Sequence, residues 1–136
     1  MAREVTRILY LDASAIVKLV VREAETETLV RHINGAALIT SEISEVEVPR
    51  AVFLRTADET SVRHAEAVLG RFGLITVDDE LRRDAARMRP ADLRTLDAIH
   101  LASCLRVAKH LEAVVVYDVR LASAVRAAAL QVASPA

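Results

Sequence analysis

Acidic side chains stand at five places where buried apolar runs end or helices begin. The run Ile8-Leu9-Tyr10-Leu11 ends in Asp12, and Ala113-Val114-Val115-Val116-Tyr117 ends in Asp118. Glu42, Glu45 and Glu47 fall within six residues, Asp78 and Asp79 adjoin, and Asp97 stands in Leu96-Asp97-Ala98. A carboxylate just past a strand has two chemical uses. It can cap the following helix by accepting a backbone N–H. Gathered at one edge, several carboxylates repel until one takes a proton or the set holds a cation. Hard divalent cations such as Mg²⁺ prefer such oxygen donors. Two of them ~3.5–4 Å apart can activate a water and stabilise the leaving oxygen of a phosphodiester. Glu42, Glu45 and Glu47 also fall where a helix dipole alone favours acids. His100 and Cys104 are an i, i+4 pair, but a zinc site needs further His or Cys ligands that the spacing does not supply. Cys104 reads as core and His100 as a hydrogen-bonded residue beside the acids.

The elements that must position these acids alternate between strand and helix. Ile8–Leu11 is a buried strand, Ala15 to Val21 a short helix, and Glu25 to Asn34 a second helix stopped at Asn34-Gly35. Ala36–Thr40 is a second strand. Ser41, or else Ser44, is the N-cap of a helix from about Glu42 to Thr56, and Pro49 predicts a kink or a break near Val48. Asp58 to Leu69 is a further helix closed by Gly70 and Gly73. Leu74–Val77 is a strand, and a helix from Asp78 stops near Pro90. Thr95 caps a long helix to about Leu111, with Asp97 in its first turn. Val114–Val116 is a strand, Arg120 to Ala128 a helix, and Leu130–Val132 a last strand before the tail Ser134-Pro135-Ala136. Strands alternating with helices predict a three-layer α/β/α sandwich with a short, mainly parallel sheet. In such sheets ligands bind beyond the carboxyl ends of the strands, where Asp12 and Asp118 stand.

The 136 residues make one domain, 1–136, with no repeat, low-complexity segment or linker. The chain is 53% hydrophobic but only 3% aromatic, so its core is Leu, Val, Ile and Ala, and some apolar surface is expected to meet another chain. Leu19, Val20, Leu29 and Val30 are the residues expected there. No apolar run approaches the ~20 residues of a membrane span. Met1–Arg7 lacks an apolar signal segment, and the single Cys104 fits a reducing compartment, so a cytoplasmic location is expected. A net charge of −1 excludes bulk basicity as a nucleic-acid signal. Lys18 and Lys109 are the only lysines, and every other cation is an arginine, the better bidentate partner for phosphate.

Four stretches in order resemble the motifs of PIN-domain proteins, and of VapC-type toxins among them. They are Leu9-Tyr10-Leu11-Asp12-Ala13-Ser14-Ala15, Thr40-Ser41-Glu42-Ile43-Ser44-Glu45-Val46-Glu47-Val48, Arg94-Thr95-Leu96-Asp97-Ala98-Ile99-His100-Leu101-Ala102 and Tyr117-Asp118-Val119-Arg120-Leu121. The resemblance covers nearly the whole chain. It implies that Asp12, Glu47, Asp97 and Asp118 are the catalytic and metal-ligating acids, with Ser14 supporting Asp12. Glu42 and Glu45 are then surface or capping acids, and Asp78 and Asp79 match no ligand position. Many relatives carry Thr or Ser two residues before the last acid, where this chain has Val116. The resemblance further implies an endoribonuclease dependent on Mg²⁺ or Mn²⁺, cleaving RNA through a metal-activated water. It implies a homodimer and a VapB-type antitoxin that covers the acidic cleft and supplies the DNA contact for the pair. Arg94 and Arg120, each within three residues of a site Asp, are the expected RNA contacts. Other readings stay open: a PIN-like RNA- or antitoxin-binding module without catalysis, or another Mg²⁺-dependent phosphohydrolase. A phosphatase would want a second Asp at position 14, and a nucleotide-binding module a Gly-rich turn after the first strand; neither is present.

Overall fold

The computed structural model describes residues 6–136; Met1–Val5, most of the segment read above for a signal, lie outside the described residues. Five short apolar runs pair into one sheet: β1 (Ile8–Leu11), β2 (Ala37–Ser41), β3 (Gly73–Ile75), β4 (Ala113–Val115) and β5 (Val132–Ala133). Their order is β3-β2-β1-β4-β5. Every ladder is parallel, with Leu11 opposite Val115 and Tyr10 opposite Ile39. Side chains alternate across a strand. Leu9, Leu11, Ala113 and Val115 therefore enter one core layer, and Tyr10 and Val114 the other.

Among the described residues, seven α-helices cover the two faces. Those of the first layer are α1 (Ala13–Val17), α2 (Thr26–Ile33), α3 (Ser44–Thr56) and α4 (Glu59–Leu69). Ile16, Leu29, Val48, Val52, Ala65 and Leu69 are their buried residues there. The second layer holds α5 (Asp79–Ala86), α6 (Thr95–Arg106) and α7 (Val119–Ala127), with Leu101, Cys104, Leu121 and Val125 buried. This is the three-layer α/β/α sandwich expected. The chain runs from β1 outward through β2 to β3, then crosses back to β4 on the other side of β1. The strand order thus reverses at β1 and β4, which is where an open α/β sheet leaves its ligand crevice.

Several boundaries differ from the sequence reading, each for a local reason. α1 begins at Ala13, directly behind its cap Asp12. Pro49 does not break α3, which is continuous from Ser44 to Thr56. It removes only the bond to the Glu45 carbonyl, and the turn ahead of it is already wound tightly, with Glu45 N–H on Glu42 O and Val46 N–H on Ile43 O. Ser41 does not cap α3; its hydroxyl accepts the Ile43 N–H in the turn before it. Thr95 is the first residue of α6, not its cap, and α6 ends at Arg106, followed by a 3₁₀ turn at Ala108–His110. Leu29 is wholly buried, and Leu19 and Val20 pack partly against the core, so of the four early apolar residues only Val30 is exposed. The most exposed large apolar side chains are Leu54 on α3, 85% exposed, and Val119 at the start of α7, 81% exposed.

Candidate functional site

β1 ends at Leu11, and the chain turns at once into α1. Asp12 occupies the turn with extended backbone angles and accepts the Ala15 N–H at 3.0 Å on Oδ1. The Ser14 hydroxyl lies 3.1 Å from each carboxylate oxygen. Asp12 is only 5% exposed. Burial pushes its carboxyl above the usual range, against the pull of His100, the Ala15 N–H and Ser14, and the charge of Asp97 adds to the rise. Thr40, at the end of β2, fixes this corner: its Oγ1 donates to the Leu11 carbonyl at 2.7 Å and accepts the Ser44 hydroxyl at 2.8 Å.

Asp118 follows β4 as Asp12 follows β1. It caps α7, accepting the Leu121 N–H at 2.9 Å. Because β1 and β4 are parallel neighbours, both acids leave the same sheet edge. Capping and gathering at one edge are thus compatible roles of the same two residues. Asp97 lies in the first turn of α6. Its carboxyl is also raised, first by burial, then by the charges of Asp118 and Glu47, with His100 and Arg94 opposing. Glu47 comes from α3 in the other layer, and its Oε1 meets His100 Nε2 at 2.7 Å across the end of the sheet.

The four acids come from four separate elements, and Asp97 is the one whose charge reaches Asp12 and which feels both Asp118 and Glu47. Among the described residues, no three His, Cys, Asp or Glu side chains converge closely enough to form a ready-made metal cage. The donors available are carboxylate oxygens, with Asp12 held by a hydroxyl and an amide and Glu47 directed at His100. That donor set fits a hard divalent cation. The His100–Cys104 pair does not act together: Cys104 is buried core, and His100 turns to Glu47.

The other acids serve locally. Glu42 Oε1 accepts the Val77 N–H at 2.6 Å, tying the loop after β3 to the start of α3. Glu45 is exposed. Asp78 caps α5 and pairs with both terminal nitrogens of Arg106, which with the Leu81 N–H holds its carboxyl down at about 2. Asp79 pairs with Arg82. Arg94 and Arg120 line a small recess with Asp97 and Pro90, and Arg120 lies 3.4 Å from Asp92. Pro90 and Arg120 also border a cleft of about 1030 Å³ between α5, α6 and α7, whose wall includes Arg83, Arg87 and Arg89. The position of Val116 is fully buried in the second layer, so an apolar side chain suits it. Sequence reasoning placed His100 near the acids but missed its partners. Tyr10 and Thr40 carried no signal beyond a polar atom inside an apolar strand.

The PIN domain family model matches residues 9–127. The chain is 36% identical over 128 residues to Ribonuclease VapC46 of Mycobacterium tuberculosis, covering 93% of this chain and 97% of that one. It is 35% identical over 133 residues to Ribonuclease VapC35 of the same species, covering 94% and 97%. Among solved structures, the crystal structure of Mycobacterium tuberculosis VapC20, a Sarcin-Ricin loop cleaving toxin, superposes with a TM-score of 0.70 at 17% identity, covering 85% of this chain and 94% of that one. VapBC2 from Rickettsia felis, bound to a DNA fragment from their promoter, gives 0.69 at 12% identity, covering 95% and 99%. FitAcB from Neisseria gonorrhoeae gives 0.71 at 17%, covering 93% and 97%. Fold, motif order and relatives agree: the chain belongs to the PIN-domain family, and within it to the VapC type.

Proposed function

We propose that this chain is a metal-dependent endoribonuclease, the toxin of a toxin–antitoxin pair, built as one PIN-like domain over residues 1–136. The observation that carries the reading is the buried Asp12 at the reversal of strand order, with Asp97 near enough to act on it and to feel the charges of Asp118 and Glu47. Asp12, Glu47, Asp97 and Asp118 would hold Mg²⁺, or Mn²⁺ in its place, and Ser14 would orient Asp12. A bound divalent cation supplies Lewis acidity and an acidified water for phosphodiester hydrolysis. The chain's own residues supply the rest. Asp12 is fixed by its cap bond and by Ser14, so it need not reorganise. Arg94 and Arg120 stand beside Asp97, where they would neutralise the RNA backbone. The adjoining cleft adds Arg83, Arg87 and Arg89, interspersed with Glu80 and Asp84.

RNA as substrate is supported by the relatives named ribonuclease at 35–36% identity. The partner reading is a VapB-type antitoxin bound over the acidic edge, with DNA engaged only through that antitoxin, and a homodimer of this chain. The antitoxin and its DNA contact, though not the homodimer, are supported by the solved neighbour VapBC2 with its promoter DNA. Cleavage of cellular RNA implies action in the cytoplasm, and no helix among the described residues is long and apolar enough to cross a membrane. The test is incubation of purified protein with total RNA in Mg²⁺, in Mn²⁺ and in EDTA, followed by mapping of new 5′ ends. Discrete cuts that vanish in EDTA are expected. Equal cutting in EDTA would reject the metal, and intact RNA in every buffer would reject the nuclease.

A further inference from the structure

One buried polar chain links three of the four elements that carry the acids. Tyr10 Oη lies 2.6 Å from His100 Nδ1, and His100 Nε2 lies 2.7 Å from Glu47 Oε1. Tyr10 is on β1, two residues before Asp12. His100 is on α6, three residues after Asp97 and so on the same helix face. Glu47 is on α3, in the opposite layer. The Tyr10 side chain is fully buried and the His100 side chain 3% exposed. Their rings meet edge to face at a centroid distance of 5.9 Å.

When the His100 ring is neutral, such a chain has one hydrogen order. A carboxylate only accepts, so Nε2 carries the hydrogen in the bond to Glu47. Nδ1 then accepts the phenolic hydrogen of Tyr10. A tyrosine in an interior strand is an expensive way to fill space, since its hydroxyl must find a partner. Here the partner is the ring that holds Glu47. Without that hold, Glu47 sits on α3 with no other side-chain hydrogen bond among the described residues.

We propose that His100 and Tyr10 are positioning residues: Tyr10 fixes the tautomer and rotamer of His100, and His100 holds Glu47 Oε1 so that Oε2 is left to face the other acids. This rests on the reading of Glu47 as a metal ligand. The ordering has an analogue in metal sites generally, where the groups that orient a ligand contribute 10–100-fold to metal affinity or activity. It also answers a problem of this fold. Glu47 comes from the layer opposite Asp97, and the relative motion of α3 and α6 would blur the site unless a bond crosses the sheet end.

The test is a double-mutant cycle on metal binding, read without RNA. Mn²⁺ affinity is measured by calorimetry for the full chain, Tyr10→Phe, Glu47→Gln and the double variant, with melting curves in EDTA as the check on fold. His100→Gln, which keeps a donor at the carboxylate, is the second route should Tyr10→Phe unfold. Tyr10→Phe is expected to weaken Mn²⁺ binding roughly 10-fold, the low end of that range, and to add nothing in the Glu47→Gln background. His100→Gln should retain more affinity than His100→Leu. If Glu47→Gln weakens Mn²⁺ binding while Tyr10→Phe and both His100 variants leave it at the wild-type value, the positioning role is overturned and the ligand reading stands. If Glu47→Gln binds Mn²⁺ as tightly as wild type, the ligand reading itself falls, and the positioning role with it.

Discussion

Asp12→Asn separates the two roles that the structure gives this residue. As a cap, Asn serves as well as Asp: its amide oxygen can accept the Ala15 N–H, and Ser14 remains a partner. As a buried charge, Asp12 opposes folding, since burial and the charge of Asp97 raise its carboxyl in the folded state. The sign follows from linkage. An acid whose folded pKa lies above its unfolded value binds its proton more tightly in the folded chain. Stability is therefore full below the unfolded carboxyl pKa and falls as pH rises through the folded one. Each pH unit of such a rise is worth about 1.36 kcal/mol at neutral pH. For 136 residues at about 2.1 cal/mol/K each, unfolding entropy is about 0.3 kcal/mol per degree, so each unit corresponds to about 5 °C in Tm. Asp12→Asn should therefore melt above wild type at pH 7 in EDTA. The gap should close as pH falls through the carboxyl range, and saturating Mg²⁺ should raise the Tm of wild type only. A variant that melts lower at pH 7, or a gap unchanged down to pH 3, would refute the account of Asp12 as a strained, gathered charge.

Three further outcomes are expected. Thr40→Val leaves the Leu11 carbonyl and the Ser44 hydroxyl short of a buried partner, which costs about 1–3 kcal/mol and lowers Tm by roughly 3–10 °C in scanning calorimetry. Arg94→Ala and Arg120→Ala, both exposed, should leave Tm within about 1 °C while weakening RNA binding, each reducing the salt-dependence slope by about one in fluorescence titrations. Leu54→Ser removes the most exposed large apolar side chain; stability should move by less than about 0.5 kcal/mol, and co-purification with a partner chain should weaken.

Strands were legible where burial on both sides forces continuous apolar runs, as in Ile8–Leu11 and Ala113–Val115. The Asp at the end of each run was legible for the same reason: a polar residue ends a buried strand and caps the next helix. Helix ends were less legible because they depend on caps chosen in three dimensions. Asp58 and Asp78 announce themselves, whereas α6 starts behind Arg94 with no side-chain cap. Pro49 does not break α3 because its effect depends on how the preceding turn is bonded, which pattern alone does not record. Leu19, Val20 and Leu29 looked surplus to one sheet face, but a three-layer fold gives them a core to enter. The link from Glu47 to His100 spans 53 residues of chain and passes between layers, so no local spacing announces it.

The central claim, that four carboxylates gathered at the β1–β4 edge hold the metal that cuts RNA, is tested most directly by one comparison. Wild type and Asp12→Asn, both shown to be folded by their melting curves, are incubated with the same RNA across a Mg²⁺ titration. The account predicts metal-dependent cleavage by wild type and its loss in Asp12→Asn at every Mg²⁺ concentration. Cleavage by folded Asp12→Asn at the wild-type rate would contradict it.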